Sequence, residues 1–272
     1  MISVLMSVYK NDNGFFLKEA IDSILNQTIK PNQVVIVVDG PVPEVISNII
    51  DSYRERFALI AVDFNIVTLY KNLGLGLALR EGVNYCTEKY ILRMDSDDIS
   101  KLDRIEKVVR YIKANPDVDA FGSYIEEFSE VVGDLKRFRK VPLTTTDIFN
   151  FGKQRNPMNH VTMCIKKKSL LNVGNYESVI YHEDYYLWVK MLVSGLKLEN
   201  IDSSLVNVRV GNDLIGRRIG INYFKLEFCF ARKCINVGYF SIFDGIVYLI
   251  PRLFFRILPK CFLYSIYSKL RT

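Results

Sequence analysis

The chain has 272 residues, 49% of them hydrophobic, with a formal net charge of +6. That length suits one α/β domain with a C-terminal appendage, and the apolar content is ample for a core. Five scattered cysteines (Cys86, Cys164, Cys229, Cys234 and Cys261) form no CxxC pair, so neither a disulfide framework nor a zinc site is indicated, and a reducing cytoplasm fits.

The opening "MISVLMSVYK" lacks a basic segment and a cleavage site and reads as a buried-type strand, not a signal peptide. The helix "FFLKEAIDSILNQT" should place Phe16, Ala20, Ile21, Ile24 and Leu25 on one face. "QVVIVVDG" is a second strand, too apolar on both faces to be half exposed. A helical stretch after Pro43 leads to a strand within "LIAVDFNIVTLY", then to the glycine turn and helix of "KNLGLGLALREGVNYC". The next strand, Tyr90 to Met94, ends in Asp95, Asp97 and Asp98. Strand, helix, strand, helix, strand is the rhythm of a parallel sheet, whose ligands bind off the carboxyl ends of the strands. Ser7 to Lys10, Asp39 with Gly40, and Asp95 to Asp98 should therefore meet in one crevice.

Beyond it, Ser100 and Asp103 suit a capping box for a helix starting at Lys101. "VDAFGSYIEEFSEVVGD" reads as a strand pair, and "NPMNHVTMCIKKKSL" as a loop, a strand and a helix start. "VIYHEDYYLWVKMLVSG" sets His182, Glu183 and Asp184 at the start of a helix closed by Gly195. From Gly238 the composition turns aromatic and basic, with no acid after Asp244. Phe243, Val247, Ile250 and Phe254 recur at helical spacing, while Arg252, Arg256 and Lys260 fall four apart on another face. This predicts an amphipathic helix, ended by Pro259, that lies on an anionic membrane with its basic residues at headgroup level. Packing against the core is the competing reading, and one inward face would allow both. No apolar run is long enough to predict a spanning helix.

Hard carboxylate oxygens without a His or Cys cluster select Mg²⁺ or Mn²⁺, with a phosphate ligand completing the shell. Taken alone, the D-x-D of Asp95, Ser96 and Asp97 fits a solvated turn equally well. Asp39 suits contact with a nucleotide base or ribose, or else a plain strand-end turn. Asn72, Gly74 and Gly76 form no phosphate-loop motif, and the glycines read as permitting close packing or backbone approach. Asp184 has the position of a general base, although acids at a helix start also complement its dipole. Arg217 and Arg218 suit a diphosphate clamp or a solvated basic turn. His160 reads more readily as a loop or core histidine than as a catalyst.

Taken in order, "VLMSVYKND", "VVIVVDG", "KNLGLGLALREG", "MDSDD" and "HEDYYLW" resemble family 2 inverting glycosyltransferases of the GT-A fold, over about Ile2 to Leu192. "RRIG" and "LFFRILPKCFLYSIYSKLR" are similar to the ends of bacterial enzymes that assemble O-antigen or exopolysaccharide repeats. The resemblance implies a Rossmann-like, mostly parallel sheet flanked by helices. Its domain would span 1–237, with a nucleotide-sugar half (1–100) and an acceptor half (101–237), followed by a membrane-associating tail (238–272). It also implies a UDP-sugar donor, Mn²⁺ or Mg²⁺, and inversion at the anomeric carbon. On that pattern Val8, Tyr9 and Asp39 contact the base, with Asn72, Gly74, Ser96, Arg217 and Arg218 on the nucleotide-sugar. Asp95 is the donor-side acid and second candidate metal ligand, and Asp97 the metal ligand. Asp184 is the base, with Glu183 as the fallback, while His160, His182 and Trp188 face the acceptor. Asp98 supports the turn. The implied acceptor is a sugar on undecaprenyl diphosphate at the cytoplasmic face of the inner membrane, with β-1,3 transfer of galactose or glucose to GlcNAc favoured. No Q-x-x-R-W of processive synthases is present, which favours addition of one sugar. A sugar-nucleotidyltransferase would need a Gly- and Arg-rich loop where "SVYKNDNG" stands, and a nucleic-acid-binding module fits poorly with an acidic crevice.

Overall fold

The computed structural model describes residues 1–211 and 220–257. Arg217 and Arg218, like Pro259, Lys260 and the rest of 258–272, lie outside the described residues.

Alternation accounts for the unbroken apolar runs of the first strands. In β1 (Ile2–Val8), Ile2, Val4, Met6 and Val8 enter one core and Leu5 the other. In β2 (Gln33–Val38), Val34, Ile36 and Val38 join the first core, with Val35 and Val37 in the second. Helices cover both faces, so only Ser7, near the carboxyl end of β1, is left partly exposed on these strands. The first core is closed by α1 (Gly14–Leu25), α2 (Glu44–Asp51), α3 (Tyr53–Ala58) and, later, α5 (Arg104–Ala114). On α1 the buried face is Leu17, Ala20, Ile21, Ile24 and Leu25; Phe16, expected there, is only half-buried. The other core lies under α4 (Leu75–Tyr85), where a Cβ on Gly82 would stand 2.5 Å from the Leu5 side chain.

Strands β3 (Asp63–Thr68), β2, β1 and β4 (Tyr90–Met94) pair in parallel in that spatial order, the expected amino-terminal half-sheet. The second half is mixed. A short β5 (Ile99–Ser100) follows the acidic turn, and α5 starts at Arg104, not at Lys101. No capping box forms, because Arg104 is drawn inward and donates to Ser100 Oγ at 2.8 Å. Of the strand pair expected within "VDAFGSYIEEFSEVVGD" only β6 (Ala120–Phe128) forms there; "SEVVGD" is a turn, and the partner strand is β7 (Arg137–Arg139), just beyond it.

After α6 (Thr145–Phe151) and a 3-10 turn at His160–Thr162 comes β8 (Cys164–Lys166), inserted antiparallel between β4 and β6. Its reversed direction brings His160–Thr162 to the carboxyl end of β4, where the Arg93 N–H donates to Met163 O at 2.8 Å. Helices α7 (Lys167–Asn172) and α8 (Glu183–Val193) precede β9 (Leu198–Arg209), which is parallel to β6 and antiparallel to β5. Helices α9 (Ile221–Asn236) and α10 (Ile242–Ile257) pack over α8, burying Tyr239, Phe240 and Tyr248.

Candidate active site

The carboxyl ends of β1, β2 and β4 do converge. Val8 is buried, and its carbonyl accepts the Asp39 N–H at 2.7 Å. The Asp39 carboxylate takes the N–H of Leu73 (2.7 Å), the N–H of Gly74 (3.0 Å) and the Asn72 side-chain amide (2.9 Å). It therefore holds the Asn72–Gly74 turn directly. Gly40 makes the approach possible, since a Cβ there would meet Asn72 N at 2.4 Å, and its φ is +81°. Beside it, Tyr9 N–H donates to Asp12 at 3.0 Å, and Ser96 Oγ donates to the same carboxylate at 2.9 Å.

Asp12, which the sequence reading left without a role, thus joins the acidic turn. Burial, with a smaller push from Asp95, raises its pKa to about 6 against the pull of the Tyr9 and Ser96 donors. Burial and then the charges of Asp95 and Asp12 raise Asp97 to about 6 as well. Asp98 is buried and shifted well upward by burial and its two neighbours, and it accepts the Arg209 N–H at 2.9 Å. That contact ties the end of β9 to the turn and suits the supporting role expected of Asp98. The Arg209 guanidinium lies 3.9 Å from the Phe16 ring centroid and pairs with Glu19 at 2.7 Å, which explains why Phe16 turns from the core.

Under the turn lies Arg93, the lone charge in the strand "YILRM" and only 3% exposed. Burial lowers its pKa, but the pairing with Asp95, with smaller contributions from Tyr176 and Asp98, raises it overall and keeps the guanidinium charged. Arg93 was missed in the sequence, although a charge in an otherwise apolar strand could have marked it, because such groups are rarely buried without a partner. Arg104, fully buried, donates to Arg93 O (2.7 Å) and Val161 O (2.8 Å), fixing the backbone beneath; burial pulls its pKa down to about 9.

Glu183 and Asp184 open α8 on the other side of Arg93, whose charge acts on both as well as on Asp97 and Asp98. Burial, then Asp184, raises Glu183 to about 7. Burial also raises Asp184, opposed by the Asn156 amide, which donates to one of its oxygens at 2.7 Å. Gly76 lets α4 approach this pair, since a Cβ there would stand 2.9 Å from Glu183 Cβ. Tyr176, buried within reach of Arg93, is hydrogen-bonded to His160 Nε2 at 2.9 Å. Burial and Arg93 hold His160 well below its usual pKa, hence neutral.

Two residues expected at the acceptor lie elsewhere. Trp188 is 0% exposed, edge-on to His160 in the core, so its ring offers no surface to an acceptor. His182 is buried and stacked on Phe230 at 4.9 Å, an α8–α9 packing contact. A cleft of 560 Å³ at the β3 side of the sheet is lined by Gln33, Asp63, Asn65 and Thr87 among others, and these four bond to one another.

Among the described residues no three His, Cys, Asp or Glu side chains form a ready metal cage. The donor set nonetheless fits Mg²⁺ or Mn²⁺, which take one or two carboxylates and complete their shell with phosphate and water. Asp97 has no ion-pair partner among the described residues, whereas Asp95 is engaged by Arg93.

The chain is 39% identical over 267 residues to an Escherichia coli protein named UDP-Gal:alpha-D-GlcNAc-diphosphoundecaprenol beta-1,3-galactosyltransferase, covering 98% of this chain and 95% of that one. It is 33% identical over 269 residues to the amylovoran biosynthesis glycosyltransferase AmsE of Erwinia amylovora, covering 99% and 98%. In fold it is similar to a solved fragment of S. aureus TarS in complex with UDP-GlcNAc (TM-score 0.67, 15% identity, 93% of this chain and 71% of that). A Pyrobaculum calidifontis mannosyltransferase in complex with GDP-Man and Mn²⁺ is similar at a TM-score of 0.59 and 14% identity, over 87% and 62% of the two chains. These likenesses show a GT-A fold. The model of the family described as Glycosyl transferase family 2 matches residues 3–179, and with the full-length relatives it shows that this chain is a glycosyltransferase of family 2.

Proposed function

We propose that the enzyme moves one hexose, with galactose favoured over glucose, from UDP to GlcNAc on undecaprenyl diphosphate in a β-1,3 linkage. The setting is O-antigen assembly at the cytoplasmic face of the inner membrane. The observation that carries this reading is the placing of two acid groups, Asp95–Asp97 and Glu183–Asp184, around one buried guanidinium. The near full-length likeness to the Escherichia coli galactosyltransferase supports the choice of donor and acceptor. Likeness to the amylovoran enzyme favours a second setting, exopolysaccharide assembly with another sugar.

Asp97, with Asp95 beside it, would hold the divalent ion, and the bound ion supplies positive charge to the departing diphosphate. Val8, Tyr9 and the Asp39-held turn position the nucleotide. Asp184, with one oxygen fixed by Asn156, uses the other to take the acceptor hydroxyl proton. The acceptor oxygen bonds to the anomeric carbon as the carbon–oxygen bond to UDP breaks, and that electron pair leaves with UDP. The single displacement inverts the anomeric centre. Release of UDP from a panel of UDP-sugars with a GlcNAc-diphosphate lipid is the test. UDP-galactose and UDP-glucose should lead, and turnover of neither would overturn the reading.

A further inference from the structure

Helix α10 turns its charges inward and its apolar groups outward. Arg252 lies 3.4 Å from the Tyr248 ring centroid and donates to Gln154 O at 2.6 Å. Arg256 pairs with buried Glu227 at 2.7 Å and lies over Tyr223. Asp244 is held by Lys153 at 3.0 Å and by Ser241. Both arginines therefore sit against α9 and the core, not at headgroup level as their spacing suggested. Ile242, Phe243, Ile246, Val247, Ile250 and Phe254 face outward, each between 48% and 73% exposed. Contiguous apolar surface of this kind marks an interaction site more often than a plain solvent face.

We propose that this face is a lipid-docking surface that sets the catalytic crevice against an anionic bilayer; the proposal rests on the acceptor being lipid-borne. Three observations select a membrane. The described part of α10 carries Asp244, Arg252 and Arg256, charges that suit a helix lying in the interface over one crossing it, and no described helix is long and apolar enough to cross. The chain that follows carries Lys260, Lys269 and Arg271 and no acid, a charge complement to anionic headgroups. Finally, a four-residue stretch joins the surface to the chemistry. Lys153 and Gln154 hold α10, and Asn156 holds Asp184. Gln154 and Asn156 are two residues apart, so their Cα atoms are separated by at most about 7 Å. The docked face is thus linked to the acceptor side of the site.

The test compares the full chain with the double variant Phe243→Glu, Ile250→Glu. Flotation uses phosphatidylglycerol/phosphatidylethanolamine vesicles, with phosphatidylcholine vesicles as the uncharged arm. Binding of the variant to anionic vesicles should fall at least about tenfold, because two apolar groups no longer leave water. Wild-type binding to phosphatidylcholine should be weaker by about tenfold or more. Turnover of GlcNAc-diphosphoundecaprenol in vesicles should fall with binding, while turnover of a soluble short-chain GlcNAc diphosphate stays unchanged and reports correct folding. Unchanged vesicle binding by the variant overturns the proposal. So does a wild-type dimer in buffer that the two substitutions dissociate without loss of lipid turnover. Equal binding to both vesicle types overturns the choice of an anionic surface. If neither acceptor is used by wild type while vesicle binding still falls in the variant, docking stands and the acceptor assignment fails.

Discussion

Replacing Gly76 with alanine separates the placement of the acid pair from its chemistry. The new Cβ would lie 2.9 Å from Glu183 Cβ and 3.1 Å from Glu177 O, where ordinary contact begins at 3.4 Å. Neither neighbour is the tip of a flexible side chain, so the start of α8 must retreat by about 0.5 Å. Alanine gains up to ~1 kcal/mol over glycine in a helix interior, and overpacking costs ~1–3 kcal/mol. The opposing terms leave a net loss of stability of about 0–3 kcal/mol. Rate should suffer more than stability. A misplacement of 1 Å can cost ~10²-fold, so half that shift should lower kcat by about tenfold. The assay is kcat and melting temperature for Gly76→Ala beside Gly82→Ala. In the latter, the clash falls on Leu5 and Val37, between α4 and the sheet and away from α8. Gly82→Ala should lose stability and keep its kcat. Normal kcat in Gly76→Ala would refute the view that α4 sets the position of Glu183 and Asp184.

Asp97→Ala should abolish metal-stimulated transfer in a folded protein, and full wild-type activity in EDTA would remove the metal assignment. Asp184→Asn should lower kcat by ~10²–10⁴-fold with UDP affinity nearly intact; if Glu183→Gln does this and Asp184→Asn does not, Glu183 is the base. The product should show the β-anomeric proton coupling by NMR, and an α coupling would contradict a single displacement. Folded values of about 6 for Asp12 and Asp97 and about 7 for Glu183 exceed their ordinary 3.8 and 4.5, so the folded state binds more protons across that window. This contribution to stability is present below the ordinary values and lost as pH rises through about 6 to 7. In EDTA the melting temperature should therefore fall between about pH 5 and pH 8, and Mn²⁺ should restore it at the higher pH. A melting temperature indifferent to Mn²⁺ at that pH would count against the cluster as the cause.

The amino-terminal half was legible because its signals are local. Period-2 burial on both faces and βαβ order place the ends of β1, β2 and β4 together, and the acids follow from the strand ends. What escaped was set by distant partners. The strand within "NPMNHVTMCIKKKSL" was legible, but not its antiparallel insertion between β4 and β6, which carries His160 into the site. Phe16 has the spacing of a core residue, but Arg209 from the end of β9 draws it out and Leu17 takes the place. Arg252 and Arg256 stack on one face as their spacing indicates, but its direction depends on Glu227 of α9. Trp188 and His182 looked accessible beside two acids, although helix geometry sends neighbouring side chains in different directions. Arg93 escaped too, since a lone charge in a strand gains its meaning only from the carboxylates that act on it.

Those carboxylates bear on what the crevice can admit. Asp97, Asp98, Glu183 and Asp184 feel the charge of Arg93, which is paired with Asp95, and Asp12 adds a further carboxylate beside Asp95 and Asp97. Burial removes part of the repulsion by favouring the protonated forms of Asp12, Asp97, Asp98 and Glu183. A nucleotide diphosphate would restore it, since two like charges 5 Å apart at an effective dielectric of 20 repel by about 3 kcal/mol. Arg93 is poorly placed to offset that charge, being buried and already ion-paired. A donor entering with its own divalent cation meets the opposite situation, because carboxylates that lose their protons become ligands. The acids are therefore better suited to a cation–diphosphate pair than to either partner alone, and the guanidinium beneath them limits the repulsion in the protein before that pair arrives.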